Sequence, residues 1–502
     1  NPKCEDNIDS YYLFEAKEAI EEWFGALGLS DAADKIKSCL ILEDSDKQAH
    51  FIKYLVNEDS QDLDSIRIFN RLNKGKIGLT NAELIKALLI MDAERSKEYS
   101  SEQLAIDWNY MERQFQDESF WAFISGGKEY QDRIDILFDF MTQKGDEDDA
   151  DFSYRKFQNL YDFELKAGKD VILDTLWKKL THQTMREAWL EVKRMYDTLV
   201  AWYEDSMYYH YVGFLTTQGK TLHDIVTGIE KAKKDENGEE IKPWTREHIE
   251  TALKRLMAQT FNEMTAVRPE DIDGWTYNGN NDIRGLLLLM NVETYKQTKY
   301  QRFPFHSYIK EEWDIEHIDS QNEATGLRAS EDRLRWMRLT SDILMKEHHA
   351  IPNEKEAKAL AEELTSVVRE KTENGAIEDK DVKGLDSIYP TLYVKVVEHY
   401  SGKISEQQGN KHALGNLTLL DTALNRSYQD APFPYKRQCV MDTDLRGDKF
   451  VPMCTKNVFL KFYTNSNSSA SFLDSMRWNK QDQDNYLAAI HKVVDPIFET
   501  NI

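Results

Sequence analysis

Apolar residues recur at helical spacing through most of the first 300 residues of this 502-residue chain. Apolar side chains three and four positions apart fall on one face of an α-helix, so the pattern predicts a largely helical region. It is clearest in residues 12–27, 84–91, 173–203 and 245–264. Such a region cannot be built mainly from strands, whose side chains alternate with a period of two.

A capping box predicts where one of these helices begins. Thr80 stands at the N-cap position and Glu83 three residues later, so each side chain can bond the other residue's backbone N–H. The apolar face expected to follow consists of Leu84, Ile85, Leu88 and Leu89.

From about residue 301, short aromatic and β-branched segments stand between helices. The segments 313–318 and 417–421 predict two strands. Between them lies a largely helical stretch that includes an amphipathic run from Glu354 to Lys371. After the second strand, Thr422 is predicted to cap a short helix that carries Asn425.

The composition excludes several classes of protein. A net charge of -25 argues against a surface that binds nucleic acid everywhere, although a local basic groove is compatible with it. No apolar run approaches the roughly 20 residues needed to cross a bilayer, so we expect no membrane association. No two cysteines form a C-x-x-C pair, which predicts reduced thiols in a cytoplasmic protein. The four are Cys4, Cys39, Cys439 and Cys454.

The two predicted strands and the short helix carry a set of residues suited to phosphodiester hydrolysis. A neutral imidazole, here His317, can take a proton from water near neutral pH. Carboxylate and amide oxygens, from Glu316 and Asn425, suit Mg²⁺ or Mn²⁺. Lys436 and Arg437 could hold phosphate oxygens. Each residue alone is more often structural, and the order of the whole set is what predicts a site.

Strand, loop, strand and helix in this order form the minimal frame of a ββα-metal nuclease. The motifs also resemble the HNH domain of the GmrSD family, which comprises type IV restriction endonucleases and related phage-defence proteins. The resemblance is densest in residues 313–318 and 412–437, and it extends to residues 451–459, to 478–498 and, upstream, to 68–85.

This resemblance implies roles by position. His317 and Asn416 would be the catalytic residues, with His317 as the general base and Asn416 bracing the loop that presents it. Asn425 would bind the metal ion, with Glu316 as the second ligand. Lys436 and Arg437 would contact phosphate, and His412 would be a structural hydrogen-bonding residue.

The fold class predicted is mainly α, with a C-terminal α+β ββα-metal (HNH) nuclease domain. The domains expected are a helical region at 1–300, resembling the later part of the family's N-terminal domain, and a nuclease domain at 301–502 with a helical insert at about 325–405. The family's ParB-like core carries an Asp-Gly-Gln-Gln-Arg motif that does not occur in this sequence. We therefore expect the chain to begin after that core. A nucleotide could act in a full-length protein, but no nucleotide-binding residue is assigned.

The function predicted is metal-dependent endonuclease cleavage of DNA, with modified or foreign phage DNA as the substrate that the resemblance implies. Two alternatives stay open: a DNA-sensing regulatory module with an inactive site, and an RNA-cutting toxin. A homodimer would make it easier to cut both strands, whereas a single copy could nick one.

Overall fold

The computed structural model describes residues 8–28, 31–34, 36–37, 79–145, 148–157, 185–234, 238–261, 268–279, 282–298, 300–319, 330–350, 355–373, 376–377, 382–401, 410–424, 431, 433–447, 449–463 and 477–501. Asn425, the predicted metal ligand, lies outside these residues, and so do residues 173–184 of one predicted helix.

The chain divides into two compact units, residues 1–112 and 113–502. In the first unit, helix α1 spans Ile8–Leu27 and helix α2 spans Asn81–Ser96, and helix α3, Ser101–Phe115, runs across the division.

The capping box that begins α2 is confirmed. The Glu83 backbone N–H donates to Thr80 Oγ1 at 3.2 Å, and the Thr80 backbone N–H donates to Glu83 Oε2 at 2.8 Å. The face that α2 buries includes Ile85 and Leu89, whereas Leu84 and Leu88 are half-buried. The buried face is therefore narrower than the sequence predicts.

The second unit contains the remaining helices and two small antiparallel sheets. Its elements before the first strand are α4 (Glu118–Ser125), α5 (Asp135–Thr142), α6 (Met185–Glu204), α7 (Ser206–Thr217), α8 (Leu222–Lys231), α9 (Arg246–Gln259), α10 (Ile283–Gln297) and α11 (Phe305–Lys310). Those that follow are β1 (Trp313–His317), α12 (Ser330–Ala350), α13 (Lys355–Lys371), β2 (Thr372–Glu373), β3 (Ala376–Ile377), α14 (Val382–Ser401), β4 (Leu417–Asp421), α15 (Phe433–Arg446), α16 (Met453–Phe459) and α17 (Lys480–Phe498).

Helix α10 lies at the centre of this unit. Leucines occupy four consecutive positions, 286–289, and all four are buried, so this turn of the helix is enclosed on every side. It packs against α7 and α17, and it also contacts α16 and both strands of the β1–β4 sheet. The sheet is thereby fixed to α10, a helix that precedes position 300.

Helix α7 contributes a buried histidine to this core. His210 Nδ1 lies 2.7 Å from the carbonyl oxygen of Ser206, and its Nε2 lies 3.2 Å from the Phe303 backbone nitrogen. Donation by Nδ1–H and acceptance at Nε2 require the neutral imidazole. Burial lowers the pKa of His210 to about 4, which fits the neutral form.

Strands β1 and β4, which lie in the two predicted strand segments, pair antiparallel. Between them in sequence, α12 packs against α13 and α14, within the stretch predicted as a helical insert. Strands β2 and β3 form a second, two-residue pairing there. The architecture is mainly helical, as predicted.

The units divide between residues 112 and 113, and helices from both sides of position 300 pack together in the second unit. The domain boundary predicted near residue 300 stays a prediction. Within the described ranges, no helix is both long enough and apolar enough to span a membrane.

Candidate functional site

The pairing of β1 with β4 sets the positions of Glu316 and His317. Glu316 lies opposite Thr418, and His317 lies opposite Leu417. Adjacent residues on a strand face opposite sides, and the burial agrees: Glu316 is buried and His317 is half-buried. His317 is therefore the more exposed of the two and stands at the end of the strand.

Asn416 fastens the chain that follows His317. Its Oδ1 accepts from the Asp319 backbone N–H at 2.9 Å, and its Nδ2 donates to the carbonyl oxygens of Asp319 and Lys411, at 2.9 and 2.8 Å. The Ile318 backbone N–H donates to the Asn416 carbonyl at 2.9 Å. Asn416 is fully buried, so these bonds form without competition from water. These contacts are those that a residue bracing the His317 loop would make, and its role in catalysis stays a prediction.

Gly415 lets the final helix approach this turn closely. A Cβ atom at position 415 would lie 2.5 Å from the carbonyl oxygen of Gln483 in α17. The Trp478 indole Nε1–H also donates to the Gly415 carbonyl at 3.1 Å. The Gly-Asn pair in the sequence thus marks a turn in which the first residue must be small and the second must hold the neighbouring strand.

Lys436 and Glu316 form a buried ion pair. Lys436 Nζ bonds Glu316 Oε1 and also donates to the His317 carbonyl oxygen at 2.8 Å. The two side chains are only 1% and 5% exposed. In this arrangement Lys436 neutralises Glu316 and fixes the peptide of His317, whereas phosphate contact by Lys436 would require it to leave the pair.

The other predicted phosphate ligand is also engaged. Arg437 Nε–H donates to the Phe459 carbonyl oxygen at 2.8 Å, and burial lowers the pKa of the guanidinium. Arg437 is half-buried rather than fully exposed. No finding tests its contact with phosphate, which stays a prediction.

Metal ligands are not gathered in the part of the chain that the structure describes, which contains no group of three or more His, Cys, Asp or Glu side chains able to hold an ion. Of the two predicted ligands, Glu316 is bound by Lys436, and Asn425 falls outside the described residues. The described residues do not by themselves form a divalent-cation site, and metal binding stays a prediction.

The helix expected to carry Asn425 is capped by a different residue from the one predicted. The backbone N–H groups of Ala423 and Leu424 donate to Asp421 Oδ1, at 2.9 and 3.1 Å. Thr422 was predicted as the cap, but its hydroxyl instead donates to the Glu312 carbonyl. Asp421 stands one residue earlier, where its side chain reaches the N–H groups two and three positions on, as an N-cap residue does.

His317 has an environment that keeps its imidazole neutral. Burial lowers its pKa to about 3, and electrostatic interactions with Lys436, His412 and Lys411 act in the same direction. Its ring packs edge-on against Tyr277, with centroids 4.6 Å apart, and lies 6.3 Å from the His412 ring. A neutral imidazole can accept a proton, which is what a general base requires.

Tyr277 and Asn278 are site residues that the sequence reasoning missed. Thr276 forms an antiparallel bridge with Ala413, and the Tyr277 backbone N–H donates to the His412 carbonyl at 2.9 Å. Asn278 Nδ2 lies 3.4 Å from His412 Nδ1, which agrees with a hydrogen-bonding role for His412. These partners are more than 130 residues apart in sequence, so no local pattern could join them.

Comparison with known families identifies part of the chain. Residues 351–492 match the family described as GmrSD restriction endonucleases, C-terminal domain. The chain carries a GmrSD C-terminal domain. No curated protein and no solved structure matches the sequence significantly.

The match to the GmrSD C-terminal domain covers Asn416, strand β4 and Lys436, but it starts after β1. Strand β1, which bears Glu316 and His317, pairs with a strand inside the matched region. The candidate site is therefore formed jointly by the GmrSD C-terminal domain and by residues that precede it.

Proposed function

We propose that this protein is an endonuclease of the GmrSD restriction type, with His317 as the general base. The observation that carries the proposal is the neutral imidazole of His317 at the end of β1, held against a GmrSD C-terminal domain by the bonds of Asn416. The coarser statement, a restriction endonuclease domain, follows from the family match. The HNH type is part of the proposal, and the order of the site residues supports it.

In the proposed reaction, the His317 imidazole takes a proton from a water molecule. The oxygen of that water forms a bond to phosphorus, the bond from phosphorus to the leaving sugar oxygen breaks, and the leaving oxygen takes up a proton. The buried imidazole is neutral and so able to accept this proton, whereas its lowered pKa makes it a weaker base than an ordinary histidine. Lys436 contributes by holding the His317 carbonyl, so the base cannot shift along the strand.

We also propose that a Mg²⁺ or Mn²⁺ ion offsets the charge that develops on the phosphate, with Glu316 and Asn425 as its ligands. The ligand types support this, since carboxylate and amide oxygens suit these ions. Binding at Glu316 requires the ion to share or displace the contact with Lys436. Activity that survives complete chelation of divalent ions would contradict the metal dependence.

The substrate we propose is DNA, and modified or foreign phage DNA in particular, because restriction is the activity for which the matched family is named. The net charge of -25 makes nonspecific attraction to DNA weak, so we expect affinity to depend on particular contacts. A cytoplasmic location and a homodimer that cuts both strands accompany this proposal as expectations.

One observation favours a second candidate, a DNA-sensing module without cleavage. The Lys436 ammonium already occupies the Glu316 carboxylate, where a catalytic cation would bind. In that case the protein would bind DNA without cleaving it, and replacing His317 would not change the binding.

The test is cleavage of supercoiled plasmid and of modified phage DNA with Mg²⁺ or Mn²⁺, with and without nucleotide, beside an RNA of similar length. His317→Ala should abolish nicking or linearisation. The matched control is His349→Ala, since His349 is an exposed histidine of α12. Cleavage that persists in His317→Ala would rule out the assigned base. DNA binding without cleavage would favour the sensing module, and cleavage of RNA alone would favour the toxin.

A further inference from the structure

We propose that Tyr277 is a positioning residue for the His317 imidazole, supplied by a segment that precedes both the matched domain and the predicted nuclease domain. The proposal rests on the proposed function, because the imidazole it orients is the proposed base. Its first support is the edge-on ring contact, with centroids 4.6 Å apart and planes at 68°.

The backbone of this segment is attached to the turn beside the site. The Leu414 backbone N–H donates to the Trp275 carbonyl at 3.3 Å, the Tyr277 N–H donates to the His412 carbonyl at 2.9 Å, and Thr276 bridges to Ala413. Trp275 is buried, which anchors the start of the segment. Tyr277 therefore has a fixed main-chain position relative to residues 412–414.

The same turn is attached to the strand that bears His317. Asn416 bonds the backbone of Asp319 on one side and the Lys411 carbonyl on the other. The backbones near Tyr277 and His317 are thus both hydrogen-bonded to the same turn. The two rings are also in direct contact, so the imidazole is restrained at its side chain as well as at its peptide.

The exposure of Tyr277 argues against a role in the core. The residue is 43% exposed, whereas Trp275 two positions earlier is 7% exposed. An edge-to-face contact with the imidazole restricts ring rotation without enclosing it. Orientation matters greatly for a proton-accepting group, since a displacement of about 1 Å can cost roughly 100-fold in rate.

The test compares Tyr277→Ala with Tyr277→Phe, which keeps the ring contact. The matched control is Tyr300→Ala, because Tyr300 is 95% exposed. We expect Tyr277→Ala to lower the single-turnover cleavage rate constant about tenfold or more, with the DNA Kd changed less than about twofold. Tyr277→Phe and Tyr300→Ala should behave as wild type. An unchanged rate constant, or an effect confined to Kd, would overturn the positioning role.

A second readout does not depend on cleavage. Diethylpyrocarbonate modifies accessible imidazoles, and peptide mass spectrometry reports the rate at each histidine. Loss of the Tyr277 ring should raise the modification rate of His317 several-fold, with exposed His349 as the internal reference. If Tyr277→Ala lowers Tm, Tyr277→Leu replaces it, since leucine keeps apolar bulk without an aromatic edge. An unchanged His317 rate in a folded variant overturns the proposal even if no nucleic acid is cut.

Discussion

Asn416 and Asp319 exchange two hydrogen bonds of the kind that join paired strands. The Asn416 side-chain oxygen accepts from the Asp319 N–H and its side-chain nitrogen donates to the Asp319 carbonyl, both at 2.9 Å. A side-chain amide has the same donor and acceptor groups as a peptide, so it continues the β1–β4 ladder beyond the last paired residues, His317 and Leu417.

Replacing Asn416 by alanine should destabilise the second unit by about 2–4 kcal/mol, because it removes three hydrogen bonds that a fully buried side chain makes to the backbone of Asp319 and Lys411. It should also slow cleavage. The measurement is urea unfolding at neutral pH. Asn485→Ala, which removes a surface side chain on α17, is the matched control and should change stability by less than about 0.5 kcal/mol. Equal effects of the two substitutions would contradict the assignment.

Gly415→Ala should destabilise the fold and misplace Asn416. The added Cβ would lie 2.5 Å from the backbone oxygen of Gln483, so α17 or the turn must move. We expect a loss of about 1–3 kcal/mol by chemical unfolding. Gly274→Ala serves as the control, because a Cβ there meets nothing within 4 Å. The packing argument fails if Gly274→Ala is the more destabilising of the two.

Lys436→Met should cost about 3–5 kcal/mol, because it leaves the buried Glu316 carboxylate without its cation. The double variant Lys436→Met with Glu316→Gln should recover a large part of this loss, since no buried charge is then left alone. A double-mutant cycle of unfolding free energies measures the coupling. Additive effects would mean that the pair is not formed in solution.

The pH dependence of cleavage should lack an inflection near pH 6.5 from the base. Burial lowers the pKa of His317 to about 3, so the imidazole stays neutral, and able to accept a proton, as pH falls from 8 to 5. Single-turnover rates at constant ionic strength test this. A rate that halves near pH 6.5 in wild type would show that the His317 pKa is ordinary.

Stability should fall between about pH 6.5 and pH 4 in part because of His210. Its pKa is lowered from 6.5 to about 4 on folding, so the unfolded chain binds the proton more readily in this window. The contribution is complete above the unfolded pKa and is lost as pH falls towards the folded one. It is on the order of 3 kcal/mol.

His210→Gln provides the comparison, because its amide can replace both hydrogen bonds without titrating. Unfolding free energies at several pH values should decline less steeply for this variant than for wild type. His317 contributes with the same sign, so its alanine variant separates the two effects. Identical slopes for His210→Gln and wild type would refute the assignment to His210.

Local patterns in the sequence predicted local structure well. The capping box at Thr80, the two strand segments and the helical character of the first 300 residues depend on neighbours within a few positions. Gly415 and Asn416 were recognised as a turn for the same reason. The physical cause of that turn, the carbonyl of Gln483, lies nearly 70 positions away and has no local signature.

Long-range contacts account for what the sequence did not predict. Lys436 and Arg437 looked like a solvated basic pair or a phosphate site, but the partner of Lys436 is the carboxylate of Glu316, 120 residues earlier. Tyr277 carries no motif at all. The residue types and their order were enough to single out His317 as the candidate base. The groups that lower the pKa of its imidazole and restrain it are brought there by tertiary packing.

The close approach of α17 to Gly415 has a consequence for how the protein matures. The segments around His317 lie near residues 277, 317, 416 and 483. The last of them packs against the turn at Gly415, to which the other segments are hydrogen-bonded. A ribosome must therefore translate past Gln483 before the segments can assemble. A growing chain therefore lacks the geometry that the proposed cleavage requires until translation has passed that point.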